Sequence, residues 1–412
     1  MILVRPTTRG KIMILGTAVA VGAALVNAGI TTSLLAAGMS SVLLSSFVLS
    51  FFSIYRIKLK RGVGRDGIMG NGVMMPLTII NLSRRTRQTL IIREKCKFYR
   101  DKIHNTVVEP LNPRESREIN RIVPACRRGS FELRDIIITG GDPAGFFFRE
   151  RKFKLPDQIT IYAESIRLSW LPISNKKMIQ LAGMGRPVGI AGMGQEFFGV
   201  REYQPSDGVR FIHWKASAKQ DKLMVREFEA QTSSRISIIL DTDKNSFGND
   251  ELDNNFEYLV RIAATVSDYL ASMYYQLSFI STYGEKNPVL VRESGLAYGV
   301  NEKIRKILST IQPTDTNFLE LLDLETEHCH DDTILYCLTM SEPEGIMDRF
   351  EALVERGVDV RWIYAPKEYF PDLILPIPKK RQEIELNYRG LAPVAPFIVG
   401  RELNIARVLS YG

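Results

Sequence analysis

The sequence predicts a chain of mixed class, α/β plus β: two amino-terminal transmembrane helices, a β-sandwich-like domain, and a carboxy-terminal α/β domain. Three observations predict it. Residues Ile12 to Ala28 and Leu34 to Tyr55 carry no charged side chain. From Gly62 to about Ser165, short β-branched runs are separated by Asn, Gly, Pro and charge clusters, the punctuation of antiparallel strands. From Arg235 onward, strand-like and helix-like segments alternate, as in an α/β domain with a largely parallel sheet. At 412 residues and 45% hydrophobic, the chain is long enough for two or three domains with cores of their own.

Residues 1–61 read as a hairpin anchor with helices at about 12–28 and 34–55. The second run is long enough to cross roughly 30 Å of hydrocarbon and the first lies near the short limit. Only "GITTS" joins them. Arg5, Arg9 and Lys11 precede the pair, and Arg56, Lys58, Lys60 and Arg61 follow it. An excess of basic residues marks the cytoplasmic side, so both termini and the soluble domains are expected in the cytoplasm, at the cell membrane. A secretory signal peptide is the competing reading, since "VNA" ends at Ala28; it would leave almost nothing outside the cell. Gly16, Ala20 and Ala24 recur at four-residue spacing, which suits close helix packing, although alanine and glycine are common in any membrane span. Cys96, Cys126, Cys329 and Cys337 are scattered, with no CxxC pair, and fit a reducing compartment.

The net charge of +8 and pI near 9.2 invite a nucleic-acid reading, which the distribution of charge argues against. Basic residues outnumber acidic ones by about two to one from Arg56 to Asp135, and the ratio reverses from Asp241 to Phe350. The basic excess follows the second apolar run, where anionic headgroups attract Lys and Arg. No nucleic-acid partner is expected.

Residues 62–175 form the basic β-sandwich-like region, with "MMPLTIINLS", "QTLIIREKCKF", "GSFELRDIIITG" and "DQITIYAES" as strands. Residues 176–198 are glycine-rich. Within "MIQLAGMGRPVGIAGMG", Gly183 and Gly185 resemble the start of a dinucleotide fingerprint, but the third glycine, Gly189, comes one residue late and Pro187 stands where a helix should open. A linker or loop is the better reading. Residues 199–234 are a dense charged and aromatic segment. Residues 235–412 are the α/β domain and tail: "RISIILD", "LSFIST", "TILYCL" and "VDVRWIY" as strands, and helices over Asn255 to Tyr275, Asn301 to Ile311, and from Ser341 and Pro343 to Gly357.

Asp241, Asp243 and Asn245 follow the first of these strands. Oxygen ligands at a strand tip suit a hard cation such as Mg²⁺, and an Asp capping the next turn explains them equally. "EHCHDD", Glu327 to Asp332, with Cys337 beyond, holds zinc-ligand types without the spacing of a zinc site; a polar loop before a strand is the default. His213 is the plausible proton shuttle, yet no nucleophile is identifiable beside it, and Ile212 and Trp214 suggest an interior setting.

"REYQPSDGVRFIHWKASAKQDKLMVREFE", Arg201 to Glu229, resembles the signature of domain-of-unknown-function family 58, R-E-Y-x-P-G-D-x-x-R-x-I-H-W-K-x-S-A followed by V-R-E-F-E. Upstream, "RRGSFELRDIIITGGDPAGFFFRE" is similar to that family's segment leading into D-P-x-G-L. The matching residues are Arg201, Glu202, Tyr203, Asp207, Arg210, His213, Trp214, Lys215, Arg226, Glu227 and Glu229, and Ser206 replaces the usual glycine. The resemblance implies a von Willebrand factor A-like α/β domain and a MoxR-type AAA+ ATPase as partner. An adhesion-type metal site of the form D-x-S-x-S is degenerate here, with Asp241, Asp243 and Asn245 in its places and no obvious later Asp in "LTMSEP". The expected role is a membrane-anchored adaptor or scaffold working with that ATPase, and with other membrane or envelope-assembly proteins. The alternative is a metal-dependent hydrolase centred on His213, Asp207 and the Asp241/Asp243 pair. Physically, the signature's balanced charges suit an internal brace, a partner-docking surface or a catalytic site.

Overall fold

The structure is a computed structural model describing all residues except 1–3, 28, 65, 174–190, 203–211, 221, 230–234, 249, 251, 273–274, 285–287, 332, 371–393 and 411–412. The chain forms two compact units, Met1–Glu164 and Ser165–Gly412.

The first unit begins with β1 (Val4–Pro6) and the helices α1 (Thr8–Asn27) and α2 (Ile30–Phe52), both long and apolar enough to cross a membrane. Each begins about four residues earlier than the uncharged runs suggest. For α1 the reason is a cap: the Thr7 hydroxyl accepts a hydrogen bond from the Gly10 N–H at 3.0 Å. For α2, Gly29 O accepts from Ser33 N at 3.1 Å and from the Thr32 hydroxyl at 2.8 Å, so most of "GITTS" is helix. Leu25, Val26 and Leu34 point outward and are exposed, as suits an apolar solvent.

The strands of this unit are β2 (Ile57–Arg61), β3 (Gly67–Ile68), β4 (Gly72–Asn81), β5 (Leu90–Lys95), β6 (Ile103–Val108), β7 (Ser116–Pro124), β8 (Gly129–Gly141) and β9 (Phe147–Tyr162). One sheet runs β1-β9-β8-β5-β6 with β3 on β9, and the other runs β2-β4-β7. Burial alternates along β4 as the two-residue strand period requires, and Leu59, Leu77, Ile79, Ile92, Ile136 and Ile138, drawn from both sheets, share one core cluster. Inside this apolar setting lies a fully buried carboxylate. Glu94 accepts from Arg61 at 2.5 Å on one oxygen and from Arg121 at 2.6 Å on the other. Both guanidinium groups are largely buried, so each charge depends on the others for compensation.

The β8–β9 turn is where strands and helices meet. Asp142 shapes it, accepting from Phe147 N at 2.6 Å and Ala144 N at 3.0 Å. Phe146 O then accepts from Thr7 N at 2.8 Å, and Gly145 O from the Thr7 hydroxyl at 2.7 Å. A Cβ added at Gly10 would lie 2.0 Å from Phe146 O, so only glycine admits this approach. The other end of the hairpin is held by two buried arginines. Arg87 Nη1 donates to Phe52 O at 2.6 Å, and Arg149 Nη1 donates to Phe51 O with its guanidinium 4.6 Å above the Phe51 ring. These are carbonyls that the last turn of a helix leaves without intrahelical partners, and positive charge complements that end of the helix dipole.

The second unit contains β10 (Ala191–Glu202), α3 (Trp214–Gln220), β11 (Met224–Glu229), β12 (Arg235–Leu240), α4 (Asn255–Ala271), β13 (Gln276–Tyr283), β14 (Val289–Leu296), α5 (Ala297–Thr310), α6 (Phe318–Thr326), β15 (Thr333–Thr339), α7 (Ile346–Glu355), β16 (Asp359–Tyr364), β17 (Phe397–Ile398) and α8 (Ile405–Ser410). Its large sheet runs β14-β13-β12-β15-β16-β17, parallel throughout except for β14. Central β12 and β15 are almost continuously buried, as a parallel sheet covered on both faces requires. One face packs Ile239, Ile280, Leu335, Cys337 and Trp362 against Phe318 and Leu322 of α6 and Phe350 and Leu353 of α7. The helix α4 starts at Asn254, whose side chain accepts from Glu257 N at 2.8 Å. The predicted alternation is thus present. The sequence reading passed over β14 and α6, and α7 begins later than Ser341, after Gly345 at φ +85°.

Candidate functional site

The signature segment is built on a two-stranded antiparallel ribbon. β10 and β11 pair with Glu202 opposite Met224, Arg201 opposite Val225, Val200 opposite Arg226, Gly199 opposite Glu227 and Ala191 opposite Glu229. The structure therefore gathers Arg201, Glu202, Arg226, Glu227 and Glu229 on one ribbon. Residues 191–198, expected within the glycine-rich stretch, form much of β10, and Tyr203, Asp207 and Arg210 lie outside the described residues.

His213 stands at the start of α3 as its cap. Its Nδ1 accepts from Ala216 N at 3.1 Å, its carbonyl accepts from Ala216 N and Ser217 N, each at 3.0 Å, and its own N–H donates to Met224 O at 2.7 Å. A neutral ring in this arrangement carries its proton on Nε2, and the lone pair on Nδ1 is engaged. Ser217, four residues on, closes the unit. Its hydroxyl accepts from Met224 N at 2.8 Å and donates to His213 O at 3.1 Å. Ile212 and Met224 are buried beside these contacts. Trp214, expected inside, is 66% exposed: it occupies the first turn of a short helix with no buried residue, while the ribbon contacts are made by His213 and Ser217. Lys215 is exposed too, and Glu202 pairs with Lys222 across 3.2 Å at the surface.

The second cluster sits at the carboxyl end of β12. Numbered from β12, the sheet order is 3-2-1-4-5-6, so β12 and β15 flank the point where the order reverses, the usual ligand crevice of an open α/β sheet. Asp241 occupies it, fully buried, with Oδ1 accepting from Asp243 N and Oδ2 from Met340 N, each at 2.9 Å. Burial raises its pKa to about 6; backbone hydrogen bonds from Met340, Asp243 and Ser341 oppose that rise, and the neighbouring charge of Asp243 adds to it. Asp243 accepts from Asn245 N and Nδ2, both at 3.0 Å, and from the Ser246 hydroxyl at 2.9 Å. All four carboxylate oxygens thus accept hydrogen bonds from the chain. Among the described residues, no three His, Cys, Asp or Glu side chains gather as a metal-ligand group. What the arrangement does is join strand ends: Asp241 ties β12 to β15, while Thr314 N donates to Thr242 O at 2.7 Å and Lys244 N to Thr314 O at 3.1 Å.

The composition of this half of the chain has a counterpart among known families. Residues 199–313 match the family model of Protein of unknown function DUF58. The recognition made from the signature is borne out, and the DUF58 match extends through the Asp241 strand tip to the residue before Thr314. The chain is also 25% identical over 146 residues to an uncharacterized protein, YeaD, of Bacillus subtilis (strain 168), a stretch covering 34% of this chain and 32% of the relative; the chain thus spans about a third of the length of that curated relative. Among solved structures, a β-glucosidase from Listeria innocua aligns over 26% of this chain and 16% of its own, at 8% identity and TM-score 0.17. A GH3 β-glucosidase from Bifidobacterium adolescentis aligns over 28% and 19%, at 13% identity and TM-score 0.14.

Within the DUF58 segment, the sequence reading singled out His213 but passed over Ser217. The available signal was a hydroxyl one helical turn after a capping residue. Arg87, Arg149 and the Arg61–Glu94–Arg121 triad were passed over because their partners are 27 to 98 residues away in sequence. Residues 327–331 form a turn before β15, with His330 N donating to the Thr333 hydroxyl at 2.9 Å. All four cysteines are free, and burial pushes the Cys96 and Cys329 thiols up to about 12, away from reactive thiolates.

Proposed function

We propose that this protein is a membrane-anchored scaffold or adaptor held in the cell membrane by the α1–α2 hairpin, with both termini and the soluble units in the cytoplasm. In this reading Gly62–Glu164 is a β-sandwich-like domain against anionic headgroups, and the DUF58 segment and the sheet after it form a von Willebrand factor A-like unit that engages a MoxR-type AAA+ ATPase. The strand order 3-2-1-4-5-6 with an antiparallel third strand supports the last assignment. One observation carries the adaptor role. His213 and Ser217 are engaged in bracing α3 to β11, while Trp214 and Lys215 stand exposed beside them. An exposed Trp is a residue type enriched at docking hot spots. The same bracing favours a structural role for His213 over a general base, since its Nδ1 lone pair accepts from Ala216 N.

The test is capture of the ATPase from detergent-solubilised membranes by crosslinking. Trp214→Ala and Lys215→Glu should lose the partner at unchanged melting temperature. Retention of the partner by both variants, or metal-dependent turnover by the protein freed of ATPases, would overturn the proposal.

A further inference from the structure

The sheet face beneath α6 and α7 is apolar at Ile239, Ile280, Leu335, Cys337 and Trp362. At one corner it turns hydrophilic. Ser237 of β12, Ser278 of β13 and Ser294 of β14 are direct register partners, so three hydroxyl-bearing residues stand side by side on the same face, about 4.8 Å apart from strand to strand. A recess of about 500 Å³ lies over them, at the amino ends of β12, β13 and β15 and thus at the edge opposite Asp241.

The lining sets Arg235 and Arg292 against Glu325 and Glu327. Glu325 of α6, 2% exposed, accepts from the Ser237 hydroxyl at 2.6 Å and from Arg292 Nε at 2.9 Å. That buried carboxylate is thereby neutralised, and it holds the Arg292 guanidinium at the recess. Arg235 Nη1 lies 3.0 Å from His330 Nδ1 at the same opening. Glu327 is the other acid of the lining and is exposed. Ser278 Oγ is buried with no hydrogen-bond partner, a cost that folded chains seldom leave unmet. A strand that only had to pack here would carry an apolar residue, as β15 does at Leu335 in the same register.

We propose that this recess binds a small molecule through an oxyanion, carboxylate or phosphate, set against Arg235 and Arg292, with Ser278 and Ser294 bonding its polar body. Planar guanidinium groups pair with such anions through charge-assisted hydrogen bonds. Glu327, His328 and His330 then have a role as the rim of a ligand site.

Inorganic phosphate and succinate, each titrated against the full chain in detergent, distinguish the two sources of the anion. One of them should raise the melting temperature saturably, as a ligand specific for the folded state does. Arg235→Gln, a change at an exposed side chain, should weaken that response about tenfold, the loss of one charge-assisted contact. Ser278→Val should abolish it. Lys244→Gln, an exposed position at the opposite edge, should leave it intact. A response to phosphate alone assigns a phosphate ester, and one to succinate alone a carboxylate. The proposal is overturned if neither probe acts, if the response survives both recess variants, or if Lys244→Gln reduces it as much as Arg235→Gln.

Discussion

Replacing Asp241 with asparagine probes the electrostatics of the strand tip. Complete burial holds this carboxyl at about 6 although backbone N–H groups favour its charged form, whereas in the unfolded chain it titrates near 3.9. Between those values the native state binds the proton more tightly, so the stability it contributes is full below about pH 4 and is lost as the pH rises through 6. The two pKa values differ by about 2 units, which corresponds to about 3 kcal/mol over the whole range, of which about 2 kcal/mol falls between pH 4.5 and 7.5. The asparagine variant lacks this proton and also one acceptor oxygen, a pH-independent cost of about 1–3 kcal/mol. The stability gap between wild type and variant should therefore shrink by about 2 kcal/mol from pH 4.5 to 7.5. Urea unfolding followed by tryptophan fluorescence reads it, because Trp362 is buried next to this site's strands while Trp170 and Trp214 are 58% and 66% exposed. A gap that stays constant, or widens with pH, would mean that the native carboxylate is charged throughout and compensated by a cation, and the account given above would fail.

Glu94→Gln should lower the stability of the β unit by about 3–5 kcal/mol, since two buried guanidinium groups lose their counter-charge; an unchanged denaturation midpoint would show that the triad is not charged as drawn. His213→Ala and Ser217→Ala should each cost about 1 kcal/mol as cap and hydrogen-bond losses, and hydrogen exchange should locate the loosening at the start of β11; a normal exchange pattern with altered partner binding would place both residues on the working surface. Mg²⁺ should leave the melting temperature unchanged at millimolar concentration, and a saturable rise abolished by Asp241→Ala would restore the metal site. A reporter active only in the cytoplasm should work when fused after Gly412, and activity of a periplasmic reporter there would reverse the topology.

The parts legible in the sequence are those in which a single segment decides its own structure. β12 and β15 are mostly apolar runs, α4 opens with an Asn-x-x-Glu cap, and residues 12–27 of α1 and the whole of α2 lack charge. β14 was less legible, because an antiparallel edge strand with one exposed face, "VLVRESGL", offers a weak alternation and breaks the strand–helix rhythm around it. α6 is only nine residues long and its apolar face shows its purpose only beside Phe350 and Trp362. The candidate sites divide in the same way. Within the signature, His213 caps α3 and Ser217, which its spacing did not single out, bonds the start of β11. Whether a given aromatic faces inward is decided by what packs on it, and nothing in "IHWKAS" separates buried Ile212 from exposed Trp214. The recess at Ser278 was invisible for a related reason: its floor comes from three strands and its rim from a loop more than 30 residues further on.

The fastening of the hairpin at both ends removes the swivel that a single-helix anchor would have. Thr7 and Gly10 pin the start of α1 to the β8–β9 turn, and Arg87 and Arg149 hold the end of α2, so helices and β strands turn together as one stiff piece. On the anchoring proposed above, a change in hydrocarbon thickness is met by helix tilt, and the fastened β unit would tilt with the helices. In that proposal, membrane thickness would set the angle at which the first unit's strands meet the bilayer surface.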